Sequence, residues 1–187
     1  MKDLKEIFRF TISMSLCFLF FSVADSPAQV KEMSAKELTN ESTAVFYGKC
    51  SKKESKWNDK KSIIFTYVTV VPEAYIKGSL GTEVVITVPG GQVGDILYEV
   101  SEMPVFIEGE DVMAFVWKNP AGKNLVTGGY QGKMKIEKDA KTGKRMVKTS
   151  GIAVEPDTQT QPNGKTTKPE KIQLEDFVTK VKSYVKN

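Results

Sequence analysis

Few residues of this 187-residue chain have the type and spacing to do chemistry. Glu108, Glu110 and Asp111 put three carboxylates within four positions, enough in principle for an acid and a base or for a calcium ion. They flank a turn glycine, Gly109, and lack the one-three-five ligand spacing of an EF-hand loop, so a solvated turn is expected there. The second candidate is Pro89-Gly90-Gly91-Gln92-Val93-Gly94, since glycine loops hold phosphates through backbone N–H groups at the start of a helix. No Gly-Lys-Ser/Thr ending follows, and Ile96 to Val100 reads as strand, so these glycines are expected to bend the chain between two strands. The chain has no histidine, which removes Ser-His-Asp and Cys-His constellations, histidine-based zinc sites and the usual base near neutral pH. Cys17 lies in an N-terminal apolar run, and Cys50 shares a strand face with Phe46 and Gly48. Once Cys17 is removed, no intramolecular disulfide and no Cys-x-x-Cys pair can form, and Cys50 reads as a small buried apolar residue. No catalytic residue, cofactor or metal is assigned, and the expectation is a protein that is not an enzyme.

The elements that carry these residues begin after residue 24. Lys2, Lys5 and Arg9 lead into the apolar run Phe10 to Ala24, about fifteen residues, the length and flanks of a secretory signal. Residues 1–24 are therefore expected to be a signal peptide, cleaved near Ala24 or Ala28, leaving a secreted or periplasmic chain without a membrane span. The formal net charge of +4 is too mild to argue for nucleic acid. It is uneven, with lysines at 49, 52, 53, 56, 60 and 61 and again between 133 and 148, and an acidic stretch from Glu99 to Asp111. Neither lysine group interleaves aromatics regularly with bases, so each is expected to be a solvated face rather than a polymer-binding patch. Asn40-Glu41-Ser42 is a glycosylation triplet, meaningful only in a eukaryotic source.

Ser34 with Glu37 makes a capping box that opens a short helix ending near Asn40 or Glu41. From Ala44 the period becomes that of strands: Ala44 to Cys50, Ser62 to Ile76, Glu83 to Val88, Ile96 to Val100, Asp111 to Trp117, Leu125 to Thr127, Gly132 to Glu137 and Arg145 to Lys148. Ser51 to Lys61 reads as polar turn, and Pro72 as a bend or edge. The alternation suits either a sandwich or a barrel, and the expectation is a mainly β, antiparallel barrel over residues 25–154. Residues 155–171 carry almost no apolar side chain and read as a flexible loop. In residues 172–187, Leu174, Phe177, Val178, Val181, Tyr184 and Val185 recur at helical spacing, so an amphipathic helix is expected to pack on the barrel.

In order, "AVFYGKC", "SKW", "IFTYVTVVPEAYIKG", "VVITVPGGQVG", "MPVFIEGEDVMAFV", "YQGKMKI", "DAKTGKRMV" and the closing helix resemble a group of exported bacterial proteins of unassigned function, over about residues 34 to 184. Their most specific shared parts are the Pro-Gly-Gly-x-x-Gly loop and the Phe-x-x-Gly-Glu turn at Phe106 to Glu110. More remotely, the strand, Tyr-x-x-Lys-Gly turn and strand are similar to the netrin-like modules of the tissue inhibitors of metalloproteinases, which implies a barrel of the oligonucleotide/oligosaccharide-binding (OB) type. Those inhibitors chelate zinc through an N-terminal cysteine, which neither Asp25 nor Gln29 supplies. What remains is a binding module meeting a protein or cell-envelope component through barrel loops. Gly90, Gly91, Gln92, Gly94, Phe106, Glu108 and Glu110 are the candidate contacts. The alternatives are a protease-inhibitor-like protein, or a binder of anionic glycan or nucleic acid.

Overall fold

The spacing of Ser34 and Glu37 does what it predicts. Ser34 Oγ accepts from Glu37 N at 3.2 Å, the Glu37 carboxylate accepts from Ser34 N at 2.8 Å, and helix α1 (Ala35–Glu41) follows. Its last carbonyls, on Thr39 and Asn40, accept from Lys77 Nζ at 2.7 and 3.2 Å, which puts a cation at the negative end of the helix. The computed structural model describes residues 32–149 and 170–185, all within the unit Lys31–Asn187. The expected signal 1–24, both cleavage positions and the expected loop 155–171, apart from its last two residues, lie outside them.

Ten strands are present among the described residues: β1 (Ala44–Trp57), β2 (Ile64–Lys77), β3 (Val84–Pro89), β4 (Gly91–Val93), β5 (Ile96–Tyr98), β6 (Asp111–Lys118), β7 (Asn124–Val126), β8 (Lys133–Lys138), β9 (Arg145–Thr149) and β10 (Glu170–Gln173). Helix α2 (Leu174–Tyr184) closes the described chain. Five strands form a ring in the order β1-β2-β3-β7-β6, shut by β6 pairing back onto β1 from Ala44↔Val116 to Lys49↔Asp111. That last pairing makes the fold a closed barrel rather than a sandwich. One neighbouring pair, β3 and β7, runs parallel at Ile86↔Asn124, while the others are antiparallel. An odd number of strands cannot alternate in direction around a closed ring, so a mixed barrel is the geometric consequence of five.

The barrel is filled by Phe46, Cys50, Val68, Val70, Ile86, Val112, Ala114 and Val116 among others. A second apolar layer lies outside it, where Val45, Met113 and Phe115 pack against Leu38 of α1 and Leu174, Phe177 and Val181 of α2. Strand β6 is thus covered on both faces, which is why its sequence is an unbroken apolar run instead of an alternation. Its first half also pairs with β8, so β8, β9 and β10 continue the sheet away from the ring. Gly48 stands opposite Pro72, and a Cβ on Gly48 would strike the Val71 carbonyl; this close approach, with the register shift beside it, takes the bend expected at Pro72.

Three expectations change. Ser51 to Lys61 is strand as far as Trp57, and the turn is confined to 58–63, where Asn58 Oδ1 accepts from Ser62 N at 2.8 Å and Ile63 N at 3.3 Å. The reason is the partner: the β-branched and aromatic run of β2 pairs with the lysines residue by residue to Trp57↔Ile64, and their side chains face solvent. Strand β5 does not join the barrel but pairs with β4 as a separate hairpin. The C-terminal helix begins at Leu174, because Ile172 and Gln173 are used in β10 opposite Val147 and Met146. Among the described residues no helix is long and apolar enough to cross a membrane.

Candidate partner-binding site

Pro89-Gly90-Gly91 carries the chain out of β3 and into the hairpin. Gly90 has φ 101° and Gly91 φ 138°, values that L side chains rarely adopt. Gly91 lies on a pair of hydroxyls, Ser55 Oγ and Thr66 Oγ1, 2.9 Å apart, and any Cβ would run into both. Thr66 Oγ1 donates to Gly90 O at 2.7 Å, and Gly90 N donates to Ile64 O at 2.9 Å. The Gly90 N–H is therefore spent within the fold, and a strand follows Gly91 instead of a helix; this is the bend the sequence suggests. Gly94 then begins the two-residue turn between β4 and β5, at φ 58° with open space around it.

Beside the hairpin opens a cleft of about 740 Å³, with Lys53, Ser55 and Thr66 of the barrel on one side and Leu97, Tyr98 and Val105 among the residues on the other. Ile96 is 53 % exposed, Leu97 60 %, Tyr98 37 %, Val105 73 % and Ile107 59 %, while Pro104 and Phe106 between them are buried. Isolated exposed apolar side chains are ordinary, but five within twelve residues of the chain, three of them lining one cleft, are not.

The three carboxylates diverge. Glu108 Oε1 accepts from Lys53 N at 2.6 Å, and Asp111 pairs with Lys49 at 2.8 Å, both at the surface. Glu110 corrects the expected solvated turn: only 9 % exposed, it accepts from Ile107 N at 2.8 Å and pairs with Lys133 Nζ at 2.8 Å. The same ammonium stands 5.4 Å from the centre of the Phe106 ring. Glu110 thus pins the 106–110 turn to β8. Among the described residues no three His, Cys, Asp or Glu side chains converge as a metal would need.

Of the candidate contacts, Gln92, Gly94 and Glu108 are at the surface, Gly91 is half-buried, and Gly90, Phe106 and Glu110 are buried and shape the site from beneath. Ile96, Leu97, Tyr98, Val105 and Ile107 are the residues that sequence reasoning did not single out. The available signal was an apolar run bracketed by acids, Asp95 to Glu99, in a segment too short to span the barrel.

Cys50 is fully buried in the barrel, and burial above all, with Glu110 and Glu108 nearby, pushes its thiol above the ordinary value of 9.0. Burial therefore favours the neutral thiol. Part of each lysine group is paired with acids: Lys52 and Lys56 with Glu54, Lys135 with Glu137, which Lys171 also meets, and Arg145 with Glu73. The bonds from Lys56 and Lys52 hold the Glu54 carboxyl below its usual range.

Fold and site together define a closed five-strand mixed barrel that carries a cleft beside a hairpin with exposed apolar side chains. Comparison with known protein families, with curated proteins and with solved structures returns no significant match.

Proposed function

We infer that the protein is an exported, non-enzymatic binding module built on a barrel of the OB or netrin-like type, which meets a protein or cell-envelope partner at the β4–β5 hairpin and the 103–107 loop. The observation that carries this reading is the set of exposed apolar side chains on the hairpin and the 103–107 loop, Ile96, Leu97, Tyr98, Val105 and Ile107, of which Leu97, Tyr98 and Val105 line the cleft. Apolar patches of this kind on soluble proteins mark interaction sites, and loops on a rigid barrel are where such sites are commonly built. The five-strand ring supports the OB-type assignment. Anionic glycan or nucleic acid is a weaker reading, because many of the lysines are already paired with carboxylates. Protease inhibition has no support from any residue placed at the cleft.

The test is photo-crosslinking from Gln92, exposed on β4, in an envelope fraction of the source cell. A discrete adduct is expected from the parent protein, and its loss from a Leu97→Asp/Val105→Asp variant of unchanged circular dichroism. Adducts unaffected by that variant would count against the site. Hydrolytic turnover abolished by Glu108→Gln or Asp111→Asn would overturn the non-enzyme reading; Glu110→Gln is unsuitable because it breaks a buried ion pair.

A further inference from the structure

Strand β5 is a short, exposed edge that carries neither lysine nor proline. Among the described residues it pairs only with β4, and both of its faces are apolar and exposed, Ile96 and Tyr98 on one and Leu97 on the other. Natural edge strands are commonly blunted by lysine, proline or a covering element, yet residues 91–98 contain neither lysine nor proline. An edge of this kind is a template for an added strand.

Charge identifies what could be added. From Gly78 to Trp117 the chain has seven acidic residues and no lysine or arginine, although the whole chain carries +4. Glu108, Glu110 and Asp111 are engaged within the fold. Asp95, Glu99 and Glu102 are exposed and form no ion pair among the described residues. Asp95 and Glu99 bracket β5, and in an extended chain residues four apart lie about 13 Å from one another. A second copy adding through the same edge would bring these acids against themselves, which is unfavourable. Anionic glycan, nucleic acid or an acidic membrane would be repelled in the same way.

We propose that β5 is the docking edge for an extended cationic peptide segment of a partner protein, with basic residues four positions apart and apolar side chains between them, which joins the β4–β5 hairpin as a third strand. The basic residues face Asp95 and Glu99, the main chain pairs with β5, and the apolar side chains that alternate with the basic ones lie beside Ile96 and Tyr98. This inference rests on the binding-module reading and supplies the chemistry of its partner.

The experiment titrates three labelled peptides into the full chain: Ser-Lys-Val-Thr-Val-Lys-Ser, its Lys→Glu counterpart, and a permutation with the two lysines adjacent. Fluorescence anisotropy measures affinity, and backbone amide shifts locate the contact. The spaced-lysine peptide should bind at least about tenfold more tightly than either control, with shifts centred on Ile96 to Tyr98 and affinity falling as salt rises. In an Asp95→Asn/Glu99→Gln variant this preference should disappear while the amide spectrum of the barrel is unchanged. Equal binding of lysine and glutamate peptides, shifts elsewhere, an unaffected double variant, β5 shifts that follow self-association, or β5 binding to phosphatidylglycerol vesicles would each overturn the proposal. If the Gln92 adduct still forms when the spaced-lysine peptide does not bind, the strand-addition proposal falls and the binding module stands; if neither is seen, both fall.

Discussion

The Glu110–Lys133 pair shows how a residue placed in a reactive-looking cluster can serve the fold instead. Both side chains are nearly enclosed, 5 % and 12 % exposed, and Glu110 also holds the Ile107 amide. Removing one charge of such a pair leaves the other buried and uncompensated, which costs far more than removing both. Glu110→Gln is therefore expected to destabilise the protein by about 3 kcal/mol in urea denaturation, and Lys133→Met in the same chain to restore most of that. Losses that simply add would mean the two charges do not depend on each other. Gly91 belongs to the same scale: its missing side chain lets the backbone lie on Ser55 and Thr66, and through that contact sets where the hairpin leaves the barrel.

At the scale of elements, the short helix, the long strand β2 and the C-terminal helix were all legible, because capping, β-branched density and helical periodicity are local properties. The C-terminal stripe also named its buried members, Leu174, Phe177 and Val181. Phe177 is fully buried beneath the outer face of β1 and β6. Phe177→Ala should cost about 3–4 kcal/mol, read as a lower urea midpoint at unchanged slope. A cost under about 1 kcal/mol would show that the helix does not share the core. The extension of β1 to Trp57 was not legible, since its lysines look like turn until the facing residues of β2 are known.

Across the whole molecule, closure separates two regimes of stability. The ring and its two-helix cover share continuous buried layers, whereas β4 and β5 pair only with each other. Amide hydrogen exchange should thus be fast at Ile96 to Tyr98 and slowest at Val112 to Val116 of β6, which is covered on both faces. Comparable protection in the two segments would contradict an independent hairpin. Such independence suits an edge that must accept another strand without disturbing the barrel.

The residue string by itself determined the short capped helix, the long strand β2 and the stripe of the C-terminal helix, that Cys50 and the central strands face inward, and that the glycine loop bends rather than cradles a phosphate, because each depends on neighbours a few positions away. Only tertiary structure decided that the ring closes through the pairing of β1 with β6, that β7 lies parallel to β3, that Glu110 is buried on Lys133, and that Ile96, Leu97 and Tyr98 are left in solvent. Those outcomes depend on pairings between residues far apart in the chain, which local alternation permits but does not choose.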